Sequence, residues 1–491
     1  MRRFVIFLTT ALFALLIIML GMTNVNFSKN TVDDSPKYIF LFIGDGFSYP
    51  QMTLASLYKT SVLGEDDLIM KSFICAGNAF NTDGEYGAAE SAGAVSAMAS
   101  GIKTNKESLN VDLDGNKYET IAEKLKSQRG YRIGIISSDN LNHATPAGFY
   151  AHQSSRYNGV DIVFELIDSG FDYFGGADIT GKYTVENIKE KPFTDFLSEK
   201  GYKYINARED IESLTSIAID GKVIAISPVL DPYATIPYAI DKEKYANTFT
   251  IAEHTKKCAE FLYGDGKSGF FIMVEGAKID WACHANDAAT VIHEVINFDN
   301  AIKEAVEFYN KHPKETLIIV TGDHETGGLS IGKTETTTNL YLHHLKNQTI
   351  SFTEFSFKVS NYRYNELSFE EILLEIKQYF GIEPYNGENP DFYLSYSDIE
   401  KLRAAYDISM MDPLIRPPLN WDEYTKYGFY DPITTTALKA VNEKAGISWS
   451  TYSHSGLSVP VYALGNGEKI FMGFYQNTDI FFKLKELMKL K

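Results

Sequence analysis

The sequence predicts an α/β protein: a doubly wound, mostly parallel central sheet flanked by helices, with an inserted subdomain. Short apolar runs end abruptly in Gly, Asp, Ser or His, helical patterns lie between them, and the alternation lapses over roughly residues 332–432 before it resumes.

The chain opens with Met1-Arg2-Arg3, an apolar run from Phe4 to Met22, and the polar stretch TNVNFSKNTVDDS. Residues 1–35 are therefore expected to be an export signal and linker, either a cleaved signal peptide or a retained N-terminal membrane anchor. At about nineteen residues the run sits at the lower limit for spanning a bilayer. No clear small-x-small cleavage site follows it, and the two arginines favour a cytoplasmic N-terminus with the rest of the chain outside, periplasmic or extracellular.

The first strand is YIFLFIGDG (38–46), and YETIAEKLKSQRG is a helix leading into the second, YRIGIISSDN (131–140). FFIMVEGAKID (270–280) is the third, and the helix NFDNAIKEAVEFYNKH precedes the fourth, TLIIVTGDHETGG (316–328). Such short, continuously apolar runs suit strands buried on both faces. Residues 36–331 thus make the core. Residues 332–432 are rich in Tyr, Asn and Pro, with one good amphipathic helix, SFEEILLEIKQYFG, and are read as the insertion or small subdomain. Residues 433–491 return to the core through VPVYALG (459–465) and a closing helix, DIFFKLKELMKL.

Across the 491 residues, 44 % hydrophobic and 22 % charged content is ordinary for a globular chain of ample core. The formal charge of −18 is spread rather than blocked. An acidic chain repels phosphate backbones, so nucleic-acid binding is not expected and an anionic substrate needs a local positive site. Three cysteines, Cys75, Cys258 and Cys283, allow at most one internal disulfide, which leaves stability mainly to packing.

In doubly wound sheets ligands bind beyond the carboxyl ends of strands, and those ends carry Asp45, Ser138-Asp139, Glu275 and Asp323-His324. A lone strand-end aspartate is more often a turn residue than a ligand. Asp280 and His284 are four apart and would share a helix face, as chelating pairs do, although that spacing is common. Asp323-His324 after a buried strand says more, because a carboxylate beside an imidazole is costly to bury without a cation or partner. His454 is uninformative alone. The stretch GAAESAGAVSAMASGIKTN (87–105) sets small residues around several serines, a composition that lets a backbone approach a ligand and offers a nucleophile.

Taken in order, IGDG, ESAGAVSAMASGIKT, HATPAGFYAHQSSR, VEGAKIDWACH, TGDHETGG and HSGLSVP resemble the motifs of the alkaline phosphatase family, over residues 38–331 and 434–490. The resemblance implies an exported phosphomonoesterase in which Ser91 attacks phosphorus to give a phosphoserine and Arg156 grips two phosphate oxygens with its planar fork. It implies one zinc on Asp280, His284 and His454, and a second on Asp45, Asp323 and His324, mixed triads that suit catalytic zinc. It implies a magnesium on Asp45, Thr145 and Glu275, an all-oxygen set suited to that ion. Three divalent ions bring about six positive charges against the four carboxylates, and Arg156 adds another, a surplus that matches a phosphate dianion. Ser91 would open an Ala-rich helix whose unpaired N–H groups favour an anion. Small-molecule phosphate monoesters are the implied substrates, and a homodimer is common among members.

Ser96 and Ser100 follow Ser91 on the same helix and are expected to be buried or on other faces. His152 and His293 are expected to be structural, and His343-His344 to lie on the surface. Cys283 adjoins His284, but helix neighbours point about 100° apart, off the ligand face. One departure from the family pattern, at Glu90, and two positions that vary among members, His143 and Trp281, matter. Glu90 stands where Asp is usual before the nucleophile, and would orient Arg156 slightly differently. An imidazole at His143, near the third metal, opens that site to another divalent ion. Trp281, flanking Asp280, would form an aromatic wall for the leaving group. The alternative within the superfamily is a phosphodiesterase or related hydrolase, against which Arg156 argues.

Overall fold

Fourteen strands order the described part of the chain: β1 (Tyr38–Gly44), β2 (Cys75–Phe80), β3 (Arg132–Ser137), β4 (Tyr173–Gly176), β5 (Tyr202–Ile205), β6 (Lys222–Ile226), β7 (Phe270–Gly276), β8 (Thr316–Gly322), β9 (Glu325–Thr326), β10 (Leu329–Ile331), β11 (Ile447–Trp449), β12 (His454–Ser455), β13 (Val459–Gly465) and β14 (Gly473–Gln476). The computed structural model describes residues 35–82, 87–333, 336, 339–387, 392–418 and 420–491. Ten strands form one sheet in the order β14-β2-β13-β8-β1-β7-β3-β4-β6-β5. Every pairing in it is parallel except those of β13, which runs against both β8 and β2. This is the predicted doubly wound sheet.

The centre of the sheet follows directly from the apolar runs. All residues of β1, β7 and β8 are buried, and alternate side chains of β1 serve opposite faces, Phe40 and Phe42 one core, Ile39, Leu41 and Ile43 the other. The short strands β4 and β5, and the reversed β13 beside β2, are pairings that continuous apolar runs do not announce. The predicted helices appear as Ile121–Arg129, Ala288–Lys311, Phe369–Phe380 and Thr478–Leu487.

Residues 339–432 contain more helix than the sequence pattern shows. Besides Phe369–Phe380 there are Phe352–Tyr364, Tyr396–Ser409 and Trp421–Tyr427. The buried face of Phe352–Tyr364 mixes Thr353 and Glu354 with Phe355, Val359 and Tyr362, so its apolar periodicity is weak. Its N-terminus is fixed by buried carboxylates instead. Ser351 N donates to Asp241 Oδ1 (2.9 Å), and Phe352 N to Asp287 Oδ2 (2.9 Å).

His344, expected at the surface, is buried and stacked at 4.1 Å on Phe392, while His343 is exposed. An aromatic ring outside the amphipathic pattern supplies the cover. All three cysteines are buried and free. No helix among the described residues is long and apolar enough to cross a membrane. The apolar run Phe4–Met22 lies outside them.

Candidate metal and phosphate site

Strand register brings the acidic residues together. Gly44 pairs with Gly276 on one side and Gly322 on the other, so β1, β7 and β8 end level. Asp45 and Asp323 follow immediately, and Glu275 is the penultimate residue of β7, paired with Ser137 of β3. Gly46 permits the close approach that follows: at φ +70°, any Cβ there would lie 2.8 Å from the Asp280 Cα.

Three groups of side chains could each hold an ion, with ligand atoms within 4.8 Å of one another: Asp280, His284 and His454; Asp45, Asp323 and His324; and Asp45, His143 and Glu275. The first two are the triads named from the sequence. In the third, His143 comes up beside the expected carboxylates, and Thr145 Oγ1 is buried there without a hydrogen-bond partner. Asp280 and His284 share a face of the Lys278–His284 helix, their Oδ2 and Nε2 atoms 3.3 Å apart. His454 arrives from the far end of the chain because β12 pairs with β9, directly after His324. Its ring stacks on that of His324 at 3.7 Å.

Backbone carbonyls set the tautomers. His284 Nδ1 meets Tyr452 O at 2.6 Å and His454 Nδ1 meets Ala89 O at 3.0 Å. A carbonyl only accepts, so both Nδ1 atoms carry a proton and both Nε2 atoms face the cluster. Thr326 Oγ1 donates to Asp280 Oδ1, and Gly46 N and His324 N donate to Asp323 Oδ1 at 3.1 and 2.8 Å.

Three of the remaining carboxylate oxygens have no donor. Asp45 Oδ1, Asp323 Oδ2 and Glu275 Oε1 are all buried and unpartnered, a costly arrangement that a cation would relieve. Burial, reinforced by neighbouring carboxylates, pushes Asp45 well above its usual range, Glu275 to about 8 and Asp323 to about 7. Burial also acts to raise Asp280, but His284 overrides it by charge and hydrogen bond and holds Asp280 well below the usual range. Burial lowers His284 in turn, yet Asp280 carries it up to about 9. The donor set fits divalent cations.

Ser91 begins the Ser91–Ser100 helix and is 4 % exposed, with Oγ 3.4 Å from both Asp45 Oδ2 and His324 Nε2. Ser96 and Ser100 are buried and bond back to Ala92 O and Ser96 O. The helix terminus differs from expectation. Glu90 is its N-cap, and its carboxylate already accepts from Ala92 N (2.9 Å) and Gly93 N (2.7 Å), so these amides are not left for an anion. The longer side chain of Glu, compared with Asp, lets it also take Glu107 N (2.9 Å) and Arg156 Nη1 (3.1 Å). Arg156 Nη2 lies 2.6 Å from His143 Nε2, and His143 Nδ1 3.2 Å from Asp139 Oδ2.

Ser91, Arg156, Asp280 and His454 open into one cavity of about 1040 Å³. Trp281 lines it beside Asp280, as do Tyr233 and Phe357, which the sequence reading did not single out. Glu325 was also missed. Fully buried, it accepts from Gln51 Nε2 (2.7 Å) and Ser455 Oγ, joining the His324 and His454 segments. Its adjacency to His324 was the available signal. Cys283 lies off the ligand face, burial pushing its thiol well above the usual range and Gln51 Nε2 3.7 Å from its sulfur. His152 bonds Tyr118 O at 3.0 Å, and His293 packs on Tyr58, both outside the site.

A parallel α/β sheet with carboxylate and imidazole triads at its strand ends, a helix-borne serine and a clamped arginine defines a metal-dependent hydrolase of an anionic ester. The comparisons specify the class. The family model described as alkaline phosphatase matches residues 36–490. The chain is 28 % identical over 467 residues to alkaline phosphatase 3 of Bacillus subtilis, covering 92 % of this chain and 89 % of that one. It is 27 % identical over 407 residues to alkaline phosphatase 4 of the same organism, covering 82 % and 77 %. Its fold is similar to the cold-active alkaline phosphatase of Shewanella sp. (TM-score 0.74, 23 % identity, 92 % of this chain and 99 % of that one) and to the Thermus thermophilus enzyme (TM-score 0.77, 20 % identity, 96 % of each). The protein belongs to the alkaline phosphatase family and is a metal-dependent phosphoric monoester hydrolase.

Proposed function

We propose that the protein is an exported alkaline phosphatase that cleaves phosphate monoesters through a phosphoserine on Ser91. The observation that carries this reading is the Ser91 Oγ atom, 3.4 Å from two members of a buried triad whose outer oxygens lack donors. Asp280, His284 and His454 would hold one zinc; Asp45, Asp323 and His324 the second; and Asp45, Thr145 and Glu275, with His143 beside them, a magnesium or another divalent ion. An alkaline phosphatase of the Antarctic bacterium TAB5, bearing a histidine-to-aspartate substitution, has Mg bound in its M3 site. Bound ions supply charge neutralisation at the phosphoryl oxygens and ease deprotonation of the nucleophile and of water.

The chain's own groups do the positioning. Arg156 is held by Glu90 on Nη1 and faces His143 through Nη2, and each terminal nitrogen keeps a second N–H for a phosphoryl oxygen. Ser91 Oγ forms the new P–O bond as the ester P–O bond breaks, and the alcohol leaves into the cavity. Water then cleaves the phosphoserine, releasing phosphate and restoring the hydroxyl. Export is read from Arg2, Arg3 and the apolar run behind them.

The test compares p-nitrophenyl monoester with its diester, and traps phosphoenzyme in wild type and Ser91→Ala. We expect monoester preference and loss of the trapped species with metal content unchanged. A strong diester preference, or phosphoenzyme in the variant, refutes the reading.

A further inference from the structure

The cavity is far larger than a phosphate needs, and its outer wall has a distinct chemistry. Tyr233 and Phe357 stack with ring centroids 6.0 Å apart and planes 27° apart, and Tyr233 meets Trp281 edge-on at 6.0 Å. Phe357 comes from the Phe352–Tyr364 helix of the region after residue 331, so the wall joins that region to the core. Tyr233 is 53 % exposed. Arg156 is the single Lys or Arg among the described residues lining the cavity. A leaving group with a second phosphate finds no second Lys or Arg there, whereas a flat uncharged ring finds aromatic edges and faces.

A buried ion pair ties the segments that carry Tyr233 and Trp281. Lys278 is 1 % exposed, and its Nζ donates to Asp231 Oδ2 (2.8 Å) and Thr235 Oγ1 (2.7 Å) while lying 4.6 Å from the Trp281 ring. Asp231 Oδ1 accepts from Tyr233 N (2.9 Å) and Thr235 N (3.1 Å), pinning the turn that carries Tyr233. The helix that presents Asp280 and Trp281 is thus locked to the turn that presents Tyr233. Preorganised rings lose little freedom when a ligand docks.

We infer that Tyr233, Phe357 and Trp281 form a leaving-group subsite that selects phosphate monoesters of flat aromatic alcohols over those of small aliphatic ones. The inference rests on the monoesterase reading of the same site. Its test measures kcat/KM for phenyl phosphate and glycerol phosphate in wild type and in Tyr233→Leu/Phe357→Leu, and the affinities of phenylphosphonate and methylphosphonate by calorimetry. Dividing one substrate by the other within each protein, then comparing proteins, cancels the intrinsic reactivity of the two esters. The double variant is expected to lower the phenyl-to-glycerol ratio about tenfold, mainly through KM, and to close a similar gap between the two phosphonates. An unchanged ratio with an unchanged phosphonate gap overturns the subsite while leaving the monoesterase reading intact. A wild-type enzyme that hydrolyses neither monoester overturns both.

Discussion

Glu90→Gln isolates the carboxylate that joins the nucleophile helix to the phosphate clamp. Glu90 Oε1 accepts from Gly93 N and Glu107 N, and Oε2 from Ala92 N and Arg156 Nη1. A glutamine amide keeps one acceptor oxygen. Placed toward Gly93 and Glu107, it turns its NH2 against the Ala92 N–H and the guanidinium; flipped, it abandons the other two amides. An unmade buried backbone bond costs about 1–3 kcal/mol, and a charge-assisted contact contributes about 1.5–3. These overlap, so the expected loss of stability is about 2–4 kcal/mol. Arg156, released on one side, would sit off its productive position, and a displacement near 1 Å costs up to about a hundredfold in rate. Urea unfolding, kcat/KM for a monoester and Kd for inorganic phosphate read these effects. Glu90→Asp, which keeps the charge on a shorter arm, should fall between wild type and Glu90→Gln. Wild-type stability and phosphate affinity in Glu90→Gln would refute the idea that this carboxylate positions the clamp.

Burial raises the Asp241 carboxyl to about 7. Between pH ~4 and ~7 the unfolded chain has lost this proton and the folded chain retains it, so this group makes stability fall as pH rises through that window. Asp241→Asn keeps an oxygen for Ser351 N and should flatten that slope; an unchanged slope in pH-dependent denaturation would contradict it. Exhaustive chelation should abolish monoester turnover and lower the unfolding midpoint, both recovering with zinc plus magnesium, since Asp45, Asp323 and Glu275 are left with unpartnered oxygens. Full activity at zero metal content by elemental analysis would be incompatible with the proposed site. Lys278→Met strands the buried Asp231 carboxylate and should cost about 3–5 kcal/mol, and adding Asp231→Asn should recover part of it in the same unfolding assay.

The central sheet was legible because parallel strands buried on both faces leave continuous apolar runs, and the acidic residues that end those runs mark where ligands gather. Pairing between distant segments is different. Nothing local says that His454 will stack on His324, because β12 meets β9 across more than a hundred residues; only the motif order suggested it. Glu90 was legible as a departure but not as a cap, since its extra methylene matters only once Glu107 and Arg156 are nearby. The Phe352–Tyr364 helix escaped notice because buried carboxylates, rather than an aliphatic stripe, anchor its first turn. The aromatic wall was half visible: Trp281 adjoins a ligand, while Tyr233 and Phe357 carry no motif.

The reversed strand β13 has a consequence for how the enzyme comes into being. It inserts between β8 and β2 after everything else in the sheet except β14 has been synthesised, and it brings His454 with it. A nascent chain that has emerged as far as β9 already owns Asp45, Asp280, His284, Asp323 and His324 but lacks His454. Such contacts between distant segments form slowly. Of the three candidate groups, the one on Asp280, His284 and His454 therefore waits for the tail, so a chain cut short by proteolysis or an early stop would leave that group open while the other two are complete.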